Sequence, residues 1–319
     1  MKIVFFGSSE FAVPSLEMLL NSQYEVLAIV TQPDRKSGRH LKISATPVKE
    51  AVCSRSIAVY QPENVNDPSF VKNLKSLSAD LFIVVSFGQI LSKDVLDVPG
   101  RYSINLHASL LPKYRGAAPV NWAIIKGEKK TGLTIIRMDE RMDAGDVMLQ
   151  RAIEVEREDT AETLKRRLSD LGAVLLLDSV RFIARDKVTF KKQDNRKATQ
   201  APKLKKEDGM IDWGKNAVDI SNMVRGLVPW PCAYTFLDGK LLKIWKTEVL
   251  SSREKNAAGK IIDVTDNAIF VSCGQDLLLI KELQAEGGKR MDTASFLRGH
   301  KLEKDAILGN ADNTGGMSG

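Results

Sequence analysis

The chain has 319 residues, of which 43% are hydrophobic and 27% charged. At about 150 residues per domain, that length suggests two folded domains. The composition excludes a collagen-like, disulfide-framework or wholly disordered protein. Lys and Arg number 47 against 40 Asp and Glu, a net charge of +7 that fits an anionic partner without naming one. The three cysteines, Cys53, Cys232 and Cys273, form no CxxC pair and read as small apolar residues in a reducing compartment. Only His40, His107 and His300 supply imidazoles, so no metal site is expected.

The chain opens on a strand-like run, Lys2–Phe6, shorter than the apolar core of a signal peptide. No stretch approaches the roughly 20 apolar residues of a membrane helix. A cytoplasmic protein with no membrane partner is expected. Phe11–Leu20 has helical spacing, with Pro14 tolerable in a first turn. Glu25–Val30 and Leu81–Ser86 read as further strands, as do Ser103–His107 and Leu133–Met138, with a helix over Ala118–Lys126 between the last two. Ala161–Arg185 carries a long helical period. This alternation predicts a Rossmann-like, mostly parallel α/β sheet with helices on both faces.

From Lys187 to Lys206 apolar residues thin out and the segment reads as an extended basic linker. It holds eight basic residues and one acid, a surplus of seven that equals the excess of the whole chain. Lys191, Lys192, Arg196, Lys197, Lys203, Lys205 and Lys206 are therefore candidates to meet a nucleic-acid backbone. Beyond it, Val218–Gly226 is a short helix before the Pro229-Trp230-Pro231 breaker. Tyr234–Leu237, Leu241–Thr247, Lys260–Thr265, Ala268–Cys273 and Leu277–Leu283 are five strand-like runs joined by turn residues, as in a small β-barrel of the oligonucleotide-binding type. The expected layout is a catalytic domain over 1–186, a linker over 187–206, a barrel over 207–308 and a disordered tail over 309–319.

Gly7-Ser8-Ser9 follows the first strand without a GxGxxG pattern, so it reads as a structural turn and not a dinucleotide site. The chemistry concentrates in Ser103–Gly116. If Ile104 and Leu106 point to one face of a strand, Asn105 and His107 share the other, about 7 Å apart near its C-terminal end. Ligand crevices of open α/β sheets lie outside those ends. Asp143, in Met142-Asp143-Ala144-Gly145-Asp146 after the next strand, can reach the same crevice. A carboxylate beside an imidazole orients it, and an amide N–H can bond an oxyanion. The trio therefore suits acyl transfer to an amine.

Asn105-Leu-His107-Ala-Ser109-Leu-Leu-Pro112, Arg115-Gly116-Ala-Ala-Pro119 and Met142–Asp146 together resemble the formyltetrahydrofolate-dependent formyltransferase family. Phe6–Phe11, Thr31–Arg35 and Val228–Pro231 support the resemblance, which runs to about residue 310. It implies that Asn105, His107 and Asp143 are the catalytic trio. It implies a tetrahydrofolate site at Ser109, Leu110, Leu111 and Pro112, with Phe87, Gly88, Gln89, Ile90 and Leu91 as a second wall for the pterin. The formyl donor would be 10-formyltetrahydrofolate and the acceptor the amino group of methionine on initiator tRNA. Arg39 and Lys42 would reach the tRNA from the Gln32–Pro47 loop, which is expected to be mobile when free; His40-Leu41 depart from the usual Gly-Lys-rich pattern there. Nothing in the sequence demands a dimer, and a monomer is expected. The alternative is a relative of the same fold that formylates a sugar nucleotide or another small amine and has no need of a basic linker and barrel. A non-catalytic RNA-binding protein would leave the trio without a purpose.

Overall fold

The computed structural model describes residues 1–37 and 42–309, with the backbone alone at 36, 37 and 42. Two compact units divide the chain. The first comprises 1–119, 130–154 and 165–202; the second comprises 120–129, 155–164 and 203–319.

The first unit is built on β1 (Lys2–Gly7), α1 (Val13–Leu20), β2 (Glu25–Val30), a small hairpin of β3 (Arg35–Ser37) and β4 (Lys42–Ser44), α2 (Pro47–Glu50), β5 (Ala58–Tyr60), α3 (Pro68–Ser76), β6 (Leu81–Val85), α4 (Lys93–Leu96) and β7 (Tyr102–His107). The chain then passes through α5 (Pro119–Ile125), β8 (Lys130–Arg137), β9 (Val147–Glu154) and the long α6 (Ala161–Ala184). Seven strands form one sheet in the order β5-β2-β1-β6-β7-β8-β9. The pairs from β5 to β7 are parallel, whereas the β7–β8 and β8–β9 pairs are antiparallel, so that β8 alone runs against the rest.

The central strands are apolar throughout because both faces are covered: every residue of β6 is buried, as are five of six in β1. On one face Val4, Phe6, Phe82 and Val84 pack with Phe70, Val71 and Leu74 of α3 and Val95 and Leu96 of α4. On the other, Gly172 brings the backbone of α6 against Leu106; an added Cβ would sit 2.8 Å from the leucine Cδ2. Asn105 pairs with Val84 across the sheet and so shares the α3 face, opposite Leu106. Gly7-Ser8-Ser9 forms a structural turn: the Ser8 hydroxyl donates to the Phe87 carbonyl at 2.8 Å and accepts from Gln32 N–H at 3.1 Å.

The second unit contains α7 (Ala217–Leu227), β10 (Ala233–Leu237), β11 (Lys240–Leu250), β12 (Ile261–Thr265), β13 (Ala268–Ser272), β14 (Leu277–Ala285), β15 (Met291–Asp292) and α8 (Thr293–Leu297). Its antiparallel sheet runs β10-β11-β14-β13-β12, with β15 added to β14. The two ends of that path are joined by 305–309: Gly309 exchanges hydrogen bonds with Phe236 of β10, and Asp305 and Ala306 bond Ile261 of β12. The sheet is thereby closed in the manner of a barrel. Asn121 donates to the Gly226 carbonyl at 2.7 Å and Arg225 to that of Asp159 at 2.7 Å. These bonds explain why 120–129 and 155–164 group with α7. The tail expected over 309–319 lies outside the described residues from 310 onward. No helix among the described residues is long and apolar enough to cross a membrane.

Residues 187–202 differ from an extended linker in one respect. Lys191 exchanges backbone hydrogen bonds with Val147 at 2.8 Å, and Arg115 N–H and Ala201 N–H donate to Thr199 and Arg115 carbonyls at 2.9 and 2.7 Å. Side-chain packing adds to these bonds: Ala201 is fully buried, and Phe190 packs against the Tyr102 ring at 5.2 Å.

Candidate active site

The C-terminal ends of β1, β2, β6 and β7 lie side by side, and the residues that follow them carry the candidate site. His107 closes β7. Its ring is 6% exposed, and its Nε2 lies 2.9 Å from the Tyr114 carbonyl. A carbonyl only accepts, so Nε2 carries a proton and donates. The other nitrogen, Nδ1, faces the Asp143 carboxylate at 3.5 Å, close for charges though long for a hydrogen bond.

Asp143 arrives by a route that its position after a strand does not suggest. β8 runs antiparallel to β7, and its last residue, Arg137, pairs with Ile104, three positions short of His107. The loop 138–146 therefore turns back to deliver the carboxylate. Arg137 N–H donates to the Asp146 carbonyl at 2.9 Å, and a side chain at Gly145 would collide with the Arg137 carbonyl. Asp143 itself sits at φ +50°, a left-handed conformation that the surroundings must hold. Gly116 N–H donates to its Oδ2 at 2.8 Å. Gly116 has φ +120°, and any Cβ there would lie 2.7 Å from the Ala201 carbonyl, so only glycine presents that donor.

Asn105, half-buried on the same strand face as His107, makes no side-chain hydrogen bond among the described residues. A half-buried amide with spare donors beside an imidazole suits an oxyanion.

The loop after β7 is held from below. Ser109 is fully buried and its hydroxyl donates to the Lys113 carbonyl at 2.6 Å. Thr134 Oγ1 donates to the Ser109 carbonyl at 2.7 Å and accepts from Leu111 N–H at 3.1 Å, while Gln150 donates to the Leu111 carbonyl at 2.8 Å. Leu111 is buried; Leu110 and Pro112 are half-buried. Of the second wall, Phe87 and Leu91 belong to the core under the sheet, and Gln89 is tied to Val65 N–H at 2.8 Å and the Pro62 carbonyl at 3.1 Å. Gly88 and Ile90 are the members of that run left exposed.

The basic candidates fall in separate places. Arg39 lies outside the described residues, and only the backbone of Lys42 is described, as the first residue of β4. The base of their loop is firmly built: the Thr31 and Thr46 hydroxyls bond at 2.6 Å, and Asp34 accepts from Lys49 at 2.7 Å and Gln61 at 2.6 Å. The Lys49 ammonium and then the Gln61 amide hold the Asp34 carboxyl below its ordinary value. The expected mobility concerns a loop whose tip, 38–41, lies outside the described residues. Lys191, Lys192, Arg196 and Lys197 are exposed in the first unit, Arg196 pairing with Asp194 at 2.9 Å. Lys203, Lys205 and Lys206 are exposed in the second.

Gln193, Thr134 and Gln150 support the site without any motif having marked them. An isolated polar residue inside a basic run, or on a strand, carries no spacing signal. A cavity of about 350 Å³ lined by Leu96, Tyr102, Ser103 and Arg137 opens at the start of β7 and includes none of the candidate residues. No group of three or more His, Cys, Asp and Glu among the described residues is placed to hold a metal ion.

A Rossmann-like sheet with this strand-end trio, joined in sequence to an antiparallel C-terminal unit, agrees with two family models: Formyl transferase over residues 1–180 and Formyl transferase, C-terminal domain, over 203–301. The chain belongs to the formyl transferase family and is a formyl-transferring enzyme. Within it, the chain is 46% identical to the methionyl-tRNA formyltransferase of Alkaliphilus oremlandii over 309 residues, 97% of this chain and 100% of the relative. It is 47% identical to that of Caldanaerobacter subterraneus subsp. tengcongensis, again over 97% of this chain and 100% of the relative. Among solved structures, the sugar 3N-formyl transferase WlaRD, with dTDP and 5-N-formyl-THF, matches at TM-score 0.67 and 19% identity over 91% of this chain and 99% of its own. The methionyl-tRNA formyltransferase from Clostridium thermocellum matches at 0.55 and 16%, over 88% and 99%. At such identities the structures attest the fold.

Proposed function

We propose that the chain transfers the formyl group of 10-formyltetrahydrofolate to the α-amino group of methionine carried by initiator tRNA, acting in the cytoplasm as a monomer. The observation that carries the chemistry is the His107–Asp143 pair beside the unpartnered Asn105 amide at the mouth of β7. The choice of acceptor rests on full-length likeness, in both domains, to relatives named for methionyl-tRNA. The folate site is read at Ser109–Pro112 and at Gly88 and Ile90, where the exposed Ile90 suits the apolar face of a ring.

The folate cosubstrate, when bound, supplies a formyl group on a nitrogen that becomes the leaving amine. Asn105 Nδ2 donates to the formyl oxygen as negative charge gathers there; removing one such donor costs about 10²–10³ in kcat. His107 Nε2–H is committed to Tyr114, so the proton exchanged with the reacting nitrogens is carried by Nδ1. Asp143 fixes the ring and faces the nitrogen on which positive charge develops. The exposed basic residues of 191–206, with Arg39 and Lys42, take the tRNA backbone.

The test mixes the protein with 10-formyltetrahydrofolate and methionine-charged initiator tRNA and looks for N-formylmethionine. Formylation of a sugar-nucleotide amine, with none on tRNA, selects the alternative acceptor. No formyl transfer to either abandons both.

A further inference from the structure

Gln193 lies in the basic stretch after α6, and its side chain spends its whole hydrogen-bonding capacity on the loop that carries Asp143. Its Nε2 donates to the backbone carbonyls of Asp143 and Gly145, both at 2.8 Å. Its Oε1 accepts from Arg115 Nε at 3.2 Å and Nη2 at 2.7 Å. Arg115 is 9% exposed and reaches a second amide oxygen, that of Asn195, at 2.8 Å. The next residue, Gly116, holds the Asp143 carboxylate through its N–H. A ring of bonds thus closes through 115–116, 193 and 143–145.

We propose that Gln193 is a positioning residue: by clamping the Asp143 and Gly145 carbonyls, the exit from the left-handed turn at Asp143, it sets the carboxylate that faces His107. The inference rests on the reading of Asp143 as part of the reacting site. The chemistry of the clamp requires a primary amide. Two carbonyls need two donors, and the guanidinium needs an acceptor; a flipped amide would set oxygen against two carbonyls and N–H groups against a cation. Glutamate keeps the acceptor and loses both donors. Lysine keeps donors and sets a cation against Arg115. Because Asp143 occupies φ +50° without being glycine, losing the clamp lets its backbone relax, and the carboxylate shifts from His107 before the fold is affected.

Gln193→Glu is the informative variant, since it preserves the partner of the buried Arg115. We expect kcat to fall about 10–100-fold, the range for a misplacement of an ångström. KM for the folate donor and for tRNA should stay within about twofold, because neither is held by Gln193. The decisive measurement is a double-mutant cycle. On an Asp143→Asn background Gln193→Glu should lower kcat by no more than about twofold, whereas a general structural role would multiply the two losses. Gln193→Asn, with an amide one methylene short, takes the same cycle should the glutamate variant not fold. If Asp143→Asn is impaired and Gln193→Glu retains kcat within threefold, or the losses multiply, the positioning role is overturned. If Asp143→Asn itself retains kcat, the reading of the site falls with it.

Discussion

Replacing Asp143 by Asn keeps the shape of the side chain, an acceptor for Gly116 N–H and a residue tolerant of the left-handed conformation, and removes only the charge. Two unit charges at the observed 3.5 Å attract by about 5 kcal/mol at an effective dielectric near 20. Desolvation of the pair offsets part of this, the Asp143 side chain being 15% exposed and the imidazole 6%. A net 3–4 kcal/mol, at about 1.4 kcal/mol per decade, corresponds to a roughly 10²–10³-fold lower kcat. The assay is steady-state formylation of methionine-charged initiator tRNA at saturating formyl donor, with both KM values and a melting curve recorded. Asp146→Asn is the control: Asp146 pairs with the surface Arg137 at 2.7 Å in the same loop, and its loss should leave kcat within threefold. Asp143→Asn with kcat within threefold of the parent would refute the argument. So would equal losses in the two variants, which would trace the effect to the loop and not to the charge facing His107.

Asn105→Ala should lower kcat about 10²–10³-fold, with the melting temperature nearly unchanged because no side-chain hydrogen bond among the described residues is lost; a large melting shift at normal kcat would assign it a structural role instead. Exchanging Lys191, Lys192 and Lys197 for Gln should raise KM for tRNA, leave that for folate alone and flatten the log–log salt dependence by about 0.7–0.9 per lost phosphate contact; an unchanged slope would remove these residues from the interface. Asp67 caps α3 through Ser69, whose hydroxyl and then backbone N–H hold the carboxyl below its ordinary value. Its stabilisation is therefore present above about pH 4 and lost as pH falls through the lowered value, so Asp67→Ala should melt lower at pH 7 and converge with the parent once pH has fallen through that lowered value. Burial pushes the Cys232 thiol up to about 11 and that of Cys273 up to about 12, while Cys53 is exposed. Alkylation of the native protein at pH 8 should modify one thiol, and of the unfolded chain three.

The strands legible in the sequence are those whose burial leaves a continuous apolar run, such as Lys2–Gly7 and Leu81–Val85. Val147–Glu154 gave no such run because it is the edge strand and keeps Gln150, Arg151 and Glu154 among its residues. Ala58–Tyr60 is too short at three residues to show a period. The strand at Lys130–Arg137 was recognisable, but not its direction, since apolar spacing is the same for either sense of pairing. That direction decides how Asp143 reaches His107. The sequence supplied the residues of the pair, and the turn-back of 138–146, made possible by Gly145, supplies the meeting. The second wall expected for the folate shows the reverse case. Phe87 and Leu91 are apolar for the sake of the core, and spacing alone cannot separate a core residue from a ligand-facing one.

The stretch 187–206 stands out in the sequence by its charge, which describes only part of what its side chains do. Its lysines are exposed, as are Asn195 and Thr199, yet the uncharged side chains of Gln193, Asn195 and Thr199 bond inward: Thr199 Oγ1 accepts from Tyr114 N–H at 2.9 Å, and the two amides hold Arg115. Neutral groups suit the inward face because they satisfy buried donors without the desolvation that a buried charge incurs. Tyr114 is also the residue whose carbonyl accepts from His107 Nε2. The segment thus meets the imidazole side of the pair through Thr199 and Tyr114, and the carboxylate side through Gln193. On the proposed function, the segment whose cations would face the tRNA also bonds inward to Tyr114 and to the loop of Asp143, the two sides of the proposed catalytic pair. Net charge picks out the outward residues of this stretch but not its inward bonds, because the side chains that make them are uncharged.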